Sequence, residues 1–296
     1  MSTGTDPLAP LAQLPGVPDA VAEVRKAVDR LYGHRVMRRR AAEVTSESAL
    51  RGARASAALA GADWPLEEVR RRSDFGADPE ARTVGAALRI AAEAGQLLSI
   101  WRHSPLQVLA RLHLLAVGDG DPAAGRPRRA GEGAEELFPL GLEPVESVEV
   151  DAADGPLPAL PPAPGAEEVA ARLDQLSRLL VARAEGQGVG TPALVVASVV
   201  HGELLALRPF GTHNGVIARA AQRIVLIAEG LDPKSICPAE VGLAELGTAA
   251  YRRALAGYLA GTPDGMAAWI AHCGRALRLG VRESTAVCEA MQRGMV

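Results

Sequence analysis

The chain has 296 residues, 48% hydrophobic and 23% charged but only 3% aromatic, with a formal net charge of −3. That length can bury a substantial core in one or two domains, and abundant Ala and Leu with few aromatic residues favours helices over a sheet-based core. The charge offers no general attraction to nucleic acid or to an anionic membrane, and neither is expected as a partner.

Residues 1–16 are Pro-rich and expected to be flexible, and MSTGTDPLAPLAQLPG has neither the charged nor the apolar region of a signal peptide. From Pro18 to about Arg40 the spacing of Val21, Val24, Val28, Leu31 and Tyr32 is helical. A second helix is predicted over Ser46 to Ala60, and a third begins near Pro65, a favoured first helical residue. The runs Arg38, Arg39, Arg40 and Arg70, Arg71, Arg72 read as solvated helix faces, because no aromatic platform is interleaved with them. Arginine is also a compositional habit here, Lys26 and Lys234 being the only lysines. Helical patterns continue over 79–101 and 105–117, the latter with Ser104 as its expected cap, and close an N-terminal helical region spanning 17–117.

The character changes over 118–165, where GDGDPAAGRPRRAGEG and DAADGPLPALPPAPG flank the alternating piece VESVEV. This reads as a flap with one small β-hairpin, not a separate domain. Helices resume at 166–184, 192–207, 214–229, about 239–260 and 263–292, so that 118–296 forms the core region with its flap, and no internal repeat is visible. The stretch 192–207 is apolar on nearly all sides and is expected to be the central buried helix. Interrupted by His201 and Glu203, it is too short to span a bilayer. Cys237, Cys273 and Cys288 make no CxxC pair, and an odd count without a signal peptide implies reduced thiols in a cytoplasm. The expectation is an all-α, soluble, cytoplasmic protein.

Between two of these helices lies LRPFGTHNGVIAR, residues 207–219. Thr212 and Asn214 can cap the second helix, and Gly215 lets its backbone approach a ligand closely. Free N–H groups at a helix start favour an anion, and Arg219, about a turn further on, can reach a bound phosphate. A well-capped helix joint with an ordinary Asn-Gly turn is the plain alternative.

The loop resembles the motif of the Fic (Fido) family, His-Pro-Phe-x-Asp/Glu-Gly-Asn-Gly-Arg-x-x-Arg. Pro209, Phe210, Asn214, Gly215 and Arg219 match, whereas Arg208, Thr212, His213 and Val216 depart from it. PALVVASVVHGELLALRPF, including His201, is similar to the helix before that motif, and PPAPGAEEVAARLDQLSRLL to the segment preceding it. ARLHLLAVG with GRPRR resembles the helix leading into a Gly-Arg flap, and YRRALAGYLAGTPDGMAAWIAHCGRAL the closing helices, so the likeness covers about 40–280. It implies an all-α Fic-like helical fold with a small β-hairpin flap.

In that family, the resemblance implies, the motif His takes the proton of a target hydroxyl that attacks the α-phosphate of a nucleotide. The acid holds Mg²⁺, the loop amides cradle phosphates and the arginines grip them. Arg208 cannot act as that base, since a guanidinium stays protonated, and Thr212 supplies no anionic oxygen for Mg²⁺. His213 is a poor substitute base, because a side chain where the family has glycine crowds the phosphate path. Arg208 fits better as an extra phosphate clamp, with a buried pair to an acid such as Glu203 as its structural alternative. SAALAGADWPLEEV is similar in layout to the family's inhibitory helix, with Ser56 and Gly61 in place but Ala60 where the Glu would stand. That leaves Arg219 free for an anion.

Other signals are set aside. EGQGVG follows no strand, so it makes no dinucleotide site. HGE at 201–203 lacks the Pro-Cys-x-x-Cys partner of a zinc deaminase. His103, His113 and His272 read as structural residues, and His272 and Cys273 point to different helix sides, so they form no nucleophile pair. The resulting expectation is a catalytically impaired pseudoenzyme that binds a nucleotide or phosphorylated ligand, or a protein partner, through Asn214, Gly215, Arg219, Arg208 and Thr212. ATP or another nucleotide is the candidate ligand, with no metal site and Mg²⁺ lacking its carboxylate. The competing readings are an active nucleotidyl (AMP) transferase with altered chemistry and a purely structural or interaction module.

Overall fold

Among the described residues, four of the long helices carry a proline in their first two positions, and each long helix buries one stripe or its whole surface. A computed structural model describes residues 6–76, 78–118, 120–138, 156–186 and 190–295. Gly16, in a left-handed conformation, precedes α1 (Val17–Tyr32), which buries Val17, Val24, Val28 and Leu31. Next come α2 (Ala41–Ala58) and the short α3 (Leu66–Arg71). Asp78 caps α4 (Pro79–Glu93), its side chain accepting from the Ala81 amide at 2.8 Å. α5 (Leu98–Trp101) and α6 (Pro105–Val117) follow. After the flap come α7 (Ala166–Ala184), α8 (Ala193–Leu207) and α9 (Asn214–Ala228). The chain ends in α10 (Ala239–Ala260) and α11 (Pro263–Gln292), the latter capped by Thr262.

α8 is the centre of the molecule, as its apolar surface requires. Leu194, Val195, Val196, Ala197, Val200, Leu204, Leu205 and Leu207 are all buried. α9 lies against it with Ile217, Ala221, Ile224 and Val225 inward, and α11 packs on both α10 and α1. α10 and α11 approach to backbone contact: a Cβ on Gly242 would collide with the Ala276 backbone, and one on Gly280 with Pro238. α10 bends at Gly247, whose φ of 84° and ψ of 155° only glycine adopts without strain.

The secondary structure is all-α among the described residues, and none of its helices is long and apolar enough to cross a membrane. Several boundaries differ from the sequence expectations. The first helix stops at Tyr32, because Gly33 ends it, and a 3₁₀ turn occupies Arg35–Arg38. The second begins at Ala41 and not at Ser46. The helix expected over 79–101 breaks after Glu93, where Gly95 and Gln96 turn the chain into α5. Ser104 stands at the start of α6 but makes no capping bond. From residue 6 the N-terminal stretch expected to be flexible is packed: Ala9–Gln13 forms a 3₁₀ helix, and Asp6 accepts from Arg183 at 2.7 Å and Thr191 at 2.6 Å. The hairpin expected at VESVEV lies outside the described residues.

Candidate functional site

α8 and α9 are joined by a loop whose two ends are both left-handed at non-glycine residues, Arg208 at φ 43° and His213 at φ 62°. Such a backbone costs about 1–2 kcal/mol per residue and persists only where the surroundings hold it. Asn214 is the main holder. Its Oδ1 accepts from the Phe210 amide at 2.9 Å and its Nδ2 donates to the Phe210 carbonyl at 2.8 Å, closing the loop on itself. Asn214 is therefore no cap of α9; His213 occupies that position, with no side-chain capping bond. Phe210, buried, stacks at 4.3 Å on His113, whose Nδ1 accepts from the Gly125 amide at 3.0 Å. His113 is thus the structural residue expected, tying the flap's start to the loop's base.

The flap lies along the loop as an extended partner. The Arg128 amide donates to the Pro209 carbonyl at 2.7 Å, and the Glu135 amide to the Gly211 carbonyl at 3.0 Å. The Arg128 guanidinium reaches beneath, donating to the carbonyls of Arg208 (2.7 Å) and Leu207 (3.2 Å) at the end of α8. These are orphan acceptors of a helix terminus, which need a donor from outside the helix. Arg126 and Glu132, paired at 2.9 Å, close the turn between the two contacts.

At the start of α9 the amides point at a carboxylate. The Asn214 amide donates to Glu135 Oε1 at 2.6 Å, with the His213 amide close enough to favour the same charge. Burial raises the Glu135 pKa, while those amides and the charge of Arg219 pull it back down. The start of α9 thus donates to an anionic group, and the chain's own side chain supplies it.

Arg219 is buried beneath. Its Nε donates to Ser56 Oγ at 2.9 Å and its Nη2 to the Ser56 carbonyl at 2.8 Å, satisfying an acceptor in the last turn of α2. Its charge also acts on Tyr251, whose hydroxyl lies 2.6 Å from His201 Nε2. The expectation that Ala60 leaves Arg219 free is corrected: Ser56 holds it in place of an acid. Gly215 has a second reason to be glycine, since a Cβ there would lie 3.2 Å from Arg219 Nη1.

Arg208 is half-buried and donates to the Pro161 carbonyl at 2.6 Å, while its buried Nε has no partner among the described residues. Its pKa is lowered by burial and by Arg128, yet a guanidinium remains a cation. It does not pair with Glu203, which instead binds Arg172 twice at 2.9 Å and accepts from Tyr258 at 3.0 Å. Thr212 is exposed, its hydroxyl 3.0 Å from the His213 ring. Burial, with His113 and Arg89 near, pushes the His213 pKa down to about 4. Val216 faces the core at 2% exposure, beside Ala53, Ala87 and Ile90.

Beside the loop lies a cavity of about 440 Å³ faced by Glu136, Phe138, Leu160, Arg208 and Arg252. Mg²⁺ does not fit the residues present. Position 212 offers only a hydroxyl, and the carboxylate that does reach the loop is engaged by N–H donors, which a cation repels. Among the described residues no group of three or more His, Cys, Asp or Glu could hold a metal ion.

Sequence reading placed Arg208, Thr212, His213, Asn214, Gly215 and Arg219 in one loop, where they are. It missed Glu135 and Arg128, which lie in coil 79 and 80 residues from their partners and carry no periodic signal. The GRPRR run was the one visible hint.

No protein-family model matches the sequence, and no curated protein matches it. Solved structures do. A Fic family protein from Desulfovibrio desulfuricans superposes with a TM-score of 0.69 at 21% identity, covering 92% of this chain and 75% of that one. Fic-1 of C. elegans gives 0.60 at 14%, covering 93% and 73%. A Fic domain containing signaling protein from Bacteroides thetaiotaomicron gives 0.58 at 12%, covering 92% and 97%. The chain therefore has the Fic fold.

Proposed function

We propose that this Fic-fold protein is a pseudoenzyme that binds a phosphate-bearing ligand, with a nucleotide as the leading candidate, and does not transfer it. The observation that carries the reading is the α9 start. The Asn214 amide there donates to a carboxylate at 2.6 Å, which supports an anion seat, while the base position holds the Arg208 guanidinium. Binding geometry is kept where proton abstraction is lost. No side chain at 208 can accept the proton of an attacking hydroxyl, and nothing at 212 neutralises the phosphates with a metal.

Incubation with ATP labelled at the α-phosphate, with Mg²⁺, is the test. Self-labelling and transfer to lysate proteins should both stay at background. Robust labelling abolished by Asn214→Ala would establish a transferase of altered chemistry instead. Binding should persist without Mg²⁺, and calorimetry with ATP should show it. Arg208→Ala should weaken that binding on the order of 1.5–3 kcal/mol, the value of a hydrogen bond to a charged group. Unchanged affinity in that variant would remove Arg208 from the site.

A further inference from the structure

The flap does more than cover the loop. Glu135 sits on the Asn214 amide at 2.6 Å, beside the His213 amide and close enough to Arg219 for that charge to act on it. Two main-chain bonds, from Arg128 to Pro209 and from Glu135 to Gly211, fix the segment in register. The Arg128 guanidinium anchors it from below through Leu207, Arg208 and also the Pro164 carbonyl at 3.1 Å. Next to the carboxylate the chain continues through Glu136 into the wall of the 440 Å³ cavity, which Arg208 and Arg252 also line. Both arginines have backbone partners there, Arg208 at Pro161 and Arg252 at Pro158 (2.9 Å), and Arg208 keeps an unpartnered Nε. Among the described residues that line this cavity, Arg208 and Arg252 are the cations and Glu136 is the one anion.

We propose that Glu135 is a built-in competitor for the ligand: the flap carboxylate occupies the anion seat of the loop, and a phosphate enters from the arginine-lined cavity only by displacing it. This rests on the reading that the loop is an anion site and adds its regulation and its selectivity. A tethered carboxylate acts at a high effective concentration, so free carboxylates and other monoanions cannot replace it. A phosphate or diphosphate, with more charge and more acceptor oxygens for Arg208 and Arg252, can. The inhibitory element is thus the flap and not α2, where Ala60 offers no acid.

Inorganic pyrophosphate without Mg²⁺ is the probe, titrated by calorimetry into the full chain, Glu135→Ala and Glu135→Gln. The expected result is affinity raised about ten-fold or more in Glu135→Ala, with a smaller gain in Glu135→Gln, whose amide oxygen still accepts. A second readout is exchange of the Asn214 backbone amide by NMR. As a first-turn amide of α9 it has no helical acceptor, so Glu135→Ala should speed its exchange, and pyrophosphate should slow it again. Equal affinity in all three proteins overturns the competitor and leaves the anion site standing. Unaccelerated exchange at Asn214 in Glu135→Ala also overturns it. Fast exchange with no binding to any of the three overturns the anion site itself, and the competitor falls with it.

Discussion

Arg223→Ala should lower the free energy of unfolding by about 3–5 kcal/mol, the cost of leaving one member of a buried ion pair alone. Arg223 and Glu240 are only 7% and 6% exposed and share two bonds, at 3.0 and 2.8 Å. The same guanidinium donates to Ser48 Oγ at 3.2 Å and Ser235 Oγ at 2.9 Å, so it joins α2, α9, α10 and the connection before α10. Even Gly52 is recruited, since a Cβ there would collide with the Arg223 side chain. Removing the arginine strands a carboxylate in the core. Replacing both partners, as Arg223→Met with Glu240→Leu, should recover most of the loss, because the desolvation of two charges disappears with them. Urea denaturation measures both. A loss below about 1 kcal/mol in the single variant, as for exposed pairs, would show that water reaches the pair.

The second large effect is a gain of chemistry. Arg208→His, Thr212→Asp and His213→Gly together, on a Glu135→Ala background, should raise incorporation of α-labelled ATP from background by about 10²-fold or more, the typical worth of a positioned base. In that step a hydroxyl oxygen attacks the α-phosphorus, the bond to the bridging oxygen breaks, pyrophosphate leaves, and the imidazole introduced at 208 takes the proton. Val216 is left alone, because its side chain faces the core at 2% exposure and an arginine there would be buried among Ala53, Ala87 and Ile90. The three loop changes with Glu135 retained should label more weakly, since the seat stays filled. A folded four-position variant that remains silent would mean that activity was not lost at this loop.

The helices were legible because their signals are local. Pro at the first turn with Gly16, Asp78 or Thr262 before it marks three starts, and the unbroken apolar run of α8 announces a buried helix. Where the signal was weak the boundary moved: nothing periodic marks Gly33 or Gly95 inside strings of helix formers. The loop was legible as a place and less so as an arrangement. Asn214 looks like a cap from sequence, yet its amide group closes on Phe210, because a left-handed His213 turns it inward. Arg219 looks available for a ligand, but Ser56, 163 residues away, holds it. Glu135 is invisible for the same reason: its partner is chosen by tertiary approach of coil to coil, which has no period to read.

The glycines that bring α10 and α11 into backbone contact bear on how fast anything can bind. Gly242 against Ala276, Gly280 against Pro238, and Gly257 with Gly265 leave no slack between the two helices. Tyr251 and Trp269, which they place under His201, are held just as firmly. The flap side of the loop is held differently, its described contacts being a few hydrogen bonds and one carboxylate. Under the proposed competition, capture follows release of that carboxylate and not a simple collision. At high ligand concentration the observed association rate should level off at the flap's opening rate, on the microsecond-to-millisecond scale of such segments, and stop rising with the amount of ligand supplied.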